Sequence, residues 1–210
     1  MKLLKSALSQ TSLIQIVPSV FLLLVLMALW LAGKNEVLQY SRVGLERGEW
    51  WRVLSAHLVH LNFYHLLLNT GVFFGFCFAV GSQLKAWVWS IGLFVMALFI
   101  SLALYLWSPE VAWYVGFSGV LHGLLITGLL LGVMRQGDIW FLLVLLALLV
   151  KLAREQFPTF NRDYLSDLIG APVVVDAHLY GACAGFLIAT FIILLETYFK
   201  KTFSAFNPSN

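Results

Sequence analysis

The sequence predicts an all-α, polytopic membrane protein built as a bundle of six transmembrane helices. Of its 210 residues, 61% are hydrophobic and only 11% are charged, and the mean hydropathy is +0.90. A soluble domain carries about 25% charged residues, so this much apolar surface requires lipid as its solvent. Six apolar stretches come close to the roughly 20 residues that a spanning helix needs. They are residues 16–31, 59–80, 86–107, 117–134, 139–152 and 177–199.

The six stretches are expected to form one membrane domain, residues 1–201, followed by a short cytoplasmic tail, residues 202–210. The first stretch follows Lys2 and Lys5, as a signal peptide would. No small-residue cleavage site comes after it, so we expect a retained helix. Only the charged, glycine-containing hairpin at residues 135–138 separates the fourth and fifth stretches.

Charge gives a weak indication of orientation. With the N-terminus inside, six Lys and Arg residues fall in inner segments and seven in outer ones, so the positive-inside rule does not decide. Eight of the ten acidic residues lie in or beside the outer segments, which favours a cytoplasmic N-terminus. The net charge of +3 comes from basic residues that form no patch. The expected partner is therefore the lipid bilayer and not nucleic acid.

The two cysteines, Cys77 and Cys183, both fall inside predicted helices. Two readings stay open for them. Buried thiols commonly serve as small hydrophobic side chains, whereas a bridge between the second and sixth helices would require those helices to be neighbours.

All five histidines occur among the few polar residues at membrane depth, where such side chains usually face the bundle interior or a water-filled cavity. A metal site is one interpretation. On a helix, His57 and His60 lie about 60° apart, but His65 lies about 140° from His60. These nitrogens do not converge on one ion, and the i, i+4 histidine pair of H-E-x-x-H is missing. Neither a metal nor another cofactor is predicted.

Acyl transfer by serine is the second interpretation. Ser118 stands between Gly116 and Gly119 at the start of the fourth apolar stretch. Glycines let a peptide approach the hydroxyl closely, and the backbone N–H groups of a helix start are available as donors. The alternative is a serine in a small-residue helix-packing motif.

A serine nucleophile needs a base, and two histidines are candidates. His122 lies one turn below Ser118 on the same face, where its ring would stack beneath the serine's true partner. His178 lies on the last helix, followed by Gly181 and Gly185 within about 60° and 20° of its face. Such a glycine stripe lets two helices approach closely. We therefore expect His178 to be the base.

His65 and Asn69 are four residues apart and share a helix face, so both could donate to an oxyanion. Interhelical hydrogen bonding is the alternative for this pair. Asp176 points about 200° away from His178 on a helix, and we expect it to cap the last helix. The expected catalytic group is a Ser118–His178 dyad without a carboxylate.

Together these residues resemble the rhomboid intramembrane serine proteases over nearly the whole chain. A Trp-Arg pair, Trp51 and Arg52, comes first, and H-x4-H-x3-N follows at His60, His65 and Asn69. Gly-x-Ser-Gly then occupies residues 116–119, and Ala-His-x-x-Gly-x-x-x-Gly occupies residues 177–185. Four motifs in this order are far more specific than any one of them.

The resemblance implies a six-helix rhomboid-like bundle with a Ser118–His178 dyad. His65, Asn69 and the Ser118 backbone N–H would form the oxyanion hole, and His122 would pack against the catalytic histidine. Both termini would be cytoplasmic, with the active site open to the outer side. The sequence departs from the family pattern at two positions. Phe117 stands where the family commonly has a smaller residue, and Ala56 stands where it often has a histidine, with His57 one position later.

Small size and the segment GFSGVLHG resemble one subgroup, the rhombosortases. This implies a location in a bacterial inner membrane with the active site facing the periplasm. The implied substrates are transmembrane proteins with a C-terminal Gly-Gly motif, an apolar helix and a basic tail. The acyl-enzyme would pass to water or, in a sortase-like transfer, to another nucleophile.

Two other classes of protein compete with this interpretation. A catalytically silent rhomboid-like protein would bind client helices without cutting them, and a metal or proton transporter would use the histidines. The polar segment at residues 154–172 is expected to lie at the outer surface, as a mobile cap or as a plain interfacial loop.

Overall fold

The structure, a computed structural model, describes residues 13–33, 35–84, 86–157 and 163–206. Within those residues the fold is almost entirely helical, which confirms the predicted all-α class. In chain order the elements are α1 (Leu13–Ala32), α2 (Asn35–Leu38), β1 (Tyr40–Ser41), α3 (Arg42–Glu46), α4 (Arg52–Ser55), α5 (Phe63–Ala79), α6 (Ala86–Trp107), β2 (Trp113–Tyr114), α7 (Ser118–Gln136), α8 (Ile139–Glu155), α9 (Asp163–Ile169) and α10 (Val175–Phe206). Single 3-10 turns cover Ala56–Leu58 and Gly81–Gln83.

The six long helices α1, α5, α6, α7, α8 and α10 correspond to the six apolar stretches. In the described part of the chain, three segments are long and apolar enough to cross a membrane, namely Trp89–Trp107, Ser118–Gln136 and Val175–Thr202. A fourth is the pair Arg52–Leu58 and Phe63–Ala79, which is bent by 88°. The chain is thus a multi-pass membrane protein, and six crossings stay a prediction.

Three helix boundaries differ from the expected ones. Residues 59–62 are not helical, because Asn62 caps α5 by accepting a hydrogen bond from the His65 N–H at 2.9 Å. Helix α8 continues past residue 152 to Glu155, and α10 continues to Phe206, beyond the expected tail boundary. The extra turn of α8 brings a carboxyl group into the bundle.

Helix α7 runs through the centre and packs most extensively against α10. A methyl group added at Gly181 would lie 1.9 Å from the carbonyl oxygen of Gly119, and one at Gly185 would lie 2.1 Å from that of Gly123. The two backbones are therefore in direct contact. Thr127 donates to the carbonyl oxygens of Gly123 at 2.8 Å and Gly185 at 3.0 Å, which ties the two helices together.

A two-stranded antiparallel ladder joins the segment before α3 to the segment before α7, pairing Tyr40 with Tyr114 and Ser41 with Trp113. Next to it, the Arg42 guanidinium donates to three carbonyl oxygens at the end of α6, at 2.9–3.0 Å. The Leu104 and Ser108 carbonyls also accept one backbone N–H each, and a carbonyl oxygen has two lone pairs. Arg42 therefore anchors the start of α3 to the end of α6.

Replacing Gly181 by alanine should destabilise the fold, because the added methyl group would collide with backbone atoms that cannot move aside. We expect a loss of about 3 kcal/mol, the upper range for overpacking, measured by thermal unfolding in detergent. Gly92→Ala is the matched control, since nothing lies within 4 Å of its added methyl group. An unchanged melting temperature for Gly181→Ala would contradict the direct contact of α7 and α10.

Candidate active site

Ser118 is the first residue of α7, and the turn before it is set by Gly116. Gly116 has φ +119°, a conformation that side-chain-bearing residues rarely adopt. Its N–H donates to the Ala56 carbonyl at 3.0 Å, and its own carbonyl accepts from the Tyr114 hydroxyl at 2.6 Å. Phe117 is buried and meets Phe73 edge to face. The Phe117 side chain, which is larger than is common in this motif, thus fills the core. Ser118 is then the first residue of the helix.

The structure brings Ser118 and His178 together across the α7–α10 contact. Ser118 Oγ lies 3.0 Å from Nε2 of His178, although the residues are sixty positions apart. His178 is buried in the first turn of α10. The glycines that follow it on α10 allow this short distance.

His122 stacks on His178, as expected from its position one turn below Ser118. The ring centroids are 4.1 Å apart and the planes are inclined by 19°. His122 also makes two hydrogen bonds that a packing residue would not need. Its Nδ1 lies 2.7 Å from the Ser118 carbonyl oxygen, and its Nε2 lies 2.9 Å from the Lys151 ammonium.

A carboxylate contacts the candidate base, contrary to the expected dyad without one. Oε2 of Glu155 lies 3.1 Å from Nδ1 of His178, and Glu155 is only 3% exposed. The sequence reasoning missed Glu155 because it ended the fifth helix at residue 152. The i, i+4 spacing of Lys151 and Glu155, typical of a helical ion pair, was the available signal.

Asp176 does not reach the candidate base, and it does not act as a cap. It lies inside the first turn of α10, and its carboxylate accepts a hydrogen bond from Ser108 at 2.6 Å. Ser108 also bonds to the Tyr180 hydroxyl at 2.9 Å. Asp176 thus joins α10 to the residue that follows α6.

Two polar side chains of α5 lie beside Gly116, next to the serine. A methyl group built on Gly116 would be 2.6 Å from the His65 ring and 3.8 Å from the Asn69 amide nitrogen. Within the described residues, the buried Asn69 amide nitrogen and His65 Nδ1 have no hydrogen-bond partner. Buried polar groups are nearly always paired, so the Asn69 amide and the His65 ring nitrogen are candidates for binding a ligand next to Ser118.

His60 supports this arrangement by packing against the His65 ring. It is fully buried and meets the His65 ring edge to face, with centroids 4.9 Å apart. Its carbonyl oxygen accepts from the Asn35 amide at 2.9 Å. The contact restricts the orientation of His65.

The Trp-Arg pair organises the loop between α1 and α5 and does not enter the site. Trp51 donates to the Val37 carbonyl at 3.0 Å. The buried Arg52 guanidinium donates to the carbonyls of Glu36 and Gln39 at 2.9 and 2.8 Å and pairs with Glu49. These bonds fix α2 against α4.

A second Ser–His pair, Ser101 and His57, is a different kind of contact. Ser101 Oγ lies 3.0 Å from His57 Nε2, but it also bonds to the Val53 carbonyl at 2.8 Å. A carbonyl only accepts, so the Ser101 proton is committed to it and His57 is the donor. Ser101 is fully buried. This pair fastens α4 to α6 and cannot activate a nucleophile.

A cavity of about 30 Å³ lies beside Ser118, and its lining includes His65, Tyr114, Ile169 and Pro172. Ile169 and Pro172 belong to the expected cap, residues 154–172, of which 158–162 lie outside the described residues.

Three residues of the site could together offer metal ligands: one atom each of His122, Glu155 and His178 lies within 4.8 Å of the others. The Lys151 ammonium bonds to two of them, so the chain supplies its own cation there. His57, His60 and His65, the histidines first considered for a metal, are not among these residues. Elsewhere, Cys183 is an exposed free thiol, so it forms no bridge to Cys77.

An all-α membrane bundle that places a serine hydroxyl against a buried imidazole has the architecture of an intramembrane hydrolase. The chain belongs to the rhomboid family, since a rhomboid domain matches residues 47–195, more than half of its length. It is 27% identical over 161 residues to "Putative rhomboid protease YdcA" of Bacillus subtilis (strain 168), covering 74% of this chain and 73% of that protein. Rhomboid proteases are intramembrane serine proteases that act on transmembrane substrates within the bilayer.

Gly116→Ala should disable the site without removing any reactive group. The added methyl group would strike the His65 ring and strain a backbone held at φ +119°. Labelling of Ser118 by a fluorophosphonate should fall by about tenfold or more, as when an oxyanion donor is displaced. Gly48→Ala is the matched control, because Gly48 also has positive φ but its methyl group would meet nothing within 4 Å. Equal labelling of both variants would contradict the placement of His65.

Proposed function

We propose that this protein is an intramembrane serine endopeptidase in which Ser118 is the nucleophile and His178 is the base. The observation that carries the proposal is the 3.0 Å contact between Ser118 Oγ and His178 Nε2. Beside it lie the buried donors of His65 and Asn69. A nucleophile, a base within hydrogen-bond reach and donors for an oxyanion are the parts that acyl transfer needs.

The proposed reaction uses only these groups. Ser118 Oγ bonds to the substrate carbonyl carbon while its proton passes to His178 Nε2, and the carbonyl electron pair moves onto oxygen. Donors from His65, Asn69 and the Ser118 N–H stabilise that charge. The intermediate collapses, the C–N bond breaks, and the leaving amine takes the proton from His178.

Deacylation repeats these steps with water as the nucleophile. His178 takes a proton from water as its oxygen bonds to the acyl carbon. The second intermediate then releases Ser118, whose oxygen recovers the proton. An amine or hydroxyl acceptor in place of water would give a sortase-like transfer.

Ser118→Ala should abolish both fluorophosphonate labelling and proteolysis, and His178→Ala should lower labelling by about 10²–10⁴-fold. Membrane yield of Ser118→Ala should be unchanged, since the substitution adds no bulk. In-gel fluorescence and peptide mapping of the adduct measure the outcome, with Ser166→Ala as the serine control. If wild type is not labelled, the proposed catalysis is wrong and the silent client-binding alternative is favoured. If Ser118→Ala is labelled as strongly as wild type, Ser118 is not the nucleophile.

For the substrate, we propose transmembrane proteins bearing a C-terminal Gly-Gly motif, an apolar helix and a basic tail. Support comes from the rhombosortase-like segment GFSGVLHG. Glycines near the end of a substrate helix lower the cost of exposing its backbone. On this proposal the protein lies in a bacterial inner membrane, with Ser118 near the periplasmic side.

A reporter with this signal tests the substrate proposal. Cells that co-express the protein and a secreted domain ending in Gly-Gly, an apolar helix and a basic tail should release the domain, as followed by immunoblot. Replacing Gly-Gly with Leu-Leu should reduce release by about tenfold or more, since helix unwinding becomes costlier at each position. Equal release of both reporters would indicate a general rhomboid protease.

A further inference from the structure

Five side chains around the candidate nucleophile form a closed ring of hydrogen bonds. From Ser118 Oγ the ring passes to His178 at 3.0 Å, and from His178 to Glu155 at 3.1 Å. It continues to Lys151 at 2.7 Å and to His122 at 2.9 Å. His122 closes it at 2.7 Å on the Ser118 carbonyl. Three helices, α7, α8 and α10, contribute to this ring.

The chemistry of the partners sets every donor and acceptor in the ring. The Ser118 carbonyl only accepts, so His122 carries its proton on Nδ1 and receives the Lys151 N–H on Nε2. An ionised Glu155 carboxylate also only accepts, so His178 carries its proton on Nδ1. His178 Nε2 then presents its lone pair to Ser118 Oγ, which is the tautomer that a base requires.

The ring also explains how a carboxylate can stay ionised in this position. The Glu155 side chain is only 4% exposed, whereas that of Lys151 is 44% exposed. A buried carboxylate costs several kcal/mol unless it is paired and hydrogen-bonded. Here each oxygen has a donor, one from Lys151 and one from His178. Lys151 keeps part of its solvation, so the pair is less costly than a fully buried one.

We propose that Glu155 is a positioning residue for His178, so that the site works as a Ser118–His178–Glu155 triad supported by Lys151 and His122. The inference rests on the proposed protease function and deepens it. Glu155 holds the productive tautomer and stabilises the imidazolium that forms when His178 takes the Ser118 proton. His122 stays neutral in its bonded tautomer, so its stacked ring does not repel that imidazolium.

The test uses the full-length protein purified in detergent and a rhodamine fluorophosphonate as the probe. In Glu155→Gln, the maximal inactivation rate should fall by about 10²–10⁴-fold. The Gln amide N–H can donate to His178 Nδ1, and this holds the imidazole in the tautomer that carries its proton on Nε2. The half-saturating probe concentration should not change, because Glu155 does not touch the probe. Glu155→Asp, which restores the charge, should recover part of the rate.

Glu196→Gln is the matched control, since Glu196 pairs with Arg135 at 2.6 Å, away from the ring. Its inactivation rate should equal that of wild type. If Glu155→Gln does not accumulate, Glu155→Gln with Lys151→Met replaces it, because the double variant also removes the ammonium that has lost its carboxylate partner. The same loss of rate is expected.

The outcomes separate the two proposals. Wild-type labelling at Ser118 with an unchanged rate in Glu155→Gln, or in the double variant, overturns the triad and leaves the protease function standing. A change confined to the half-saturating concentration also overturns the triad. A wild-type protein that is not labelled at Ser118 overturns the protease function itself.

Discussion

The direct contact between the backbones of α7 and α10 is the constraint on which the candidate site depends. At Gly119 and Gly181 there is no space for even one additional carbon between the helices. Any side chain there would push α10 outward, and His178 sits one turn from the contact. Because a hydrogen bond weakens steeply with distance, a shift of about 1 Å would separate His178 from Ser118. The glycines are therefore a geometric requirement of the site as well as a packing device.

A membrane interior makes the handling of charge a second constraint. In the proposed reaction, proton transfer from Ser118 to His178 would create an imidazolium and an oxyanion in a medium of low dielectric, where water cannot respond. The structure places fixed partners around both, with Glu155 against the imidazole and uncommitted donors near Gly116. Preorganised groups of this kind need not reorient during the reaction. Lys151 balances Glu155 in the resting state, so the site is neutral before a substrate arrives.

The fold class and much of the candidate site could be predicted from the sequence, because both depend on local patterns. Apolar stretches predicted the long helices, and helical spacing predicted that His122 would lie beneath the partner of Ser118. Glu155 escaped prediction for a physical reason: its charge and that of Lys151 end the apolar stretch, while the helix continues through them. Mean hydropathy reports how apolar a segment is, and it cannot show that one carboxylate points into the bundle. The hydrogen bond from Ser108 to Asp176 was equally hidden, since it joins residues 68 positions apart.

Asn62 has a consequence beyond ending a turn. Its side-chain oxygen accepts from the His65 N–H, while its amide donates to the Leu168 carbonyl at 3.1 Å in the expected cap segment. Leu168 precedes Ile169, which lines the small cavity at Ser118. Displacing Leu168 would release the amide of Asn62, whose side-chain oxygen caps the helix that carries His65. The position of this segment and the start of the helix that carries His65 are in this way mechanically linked through one side chain.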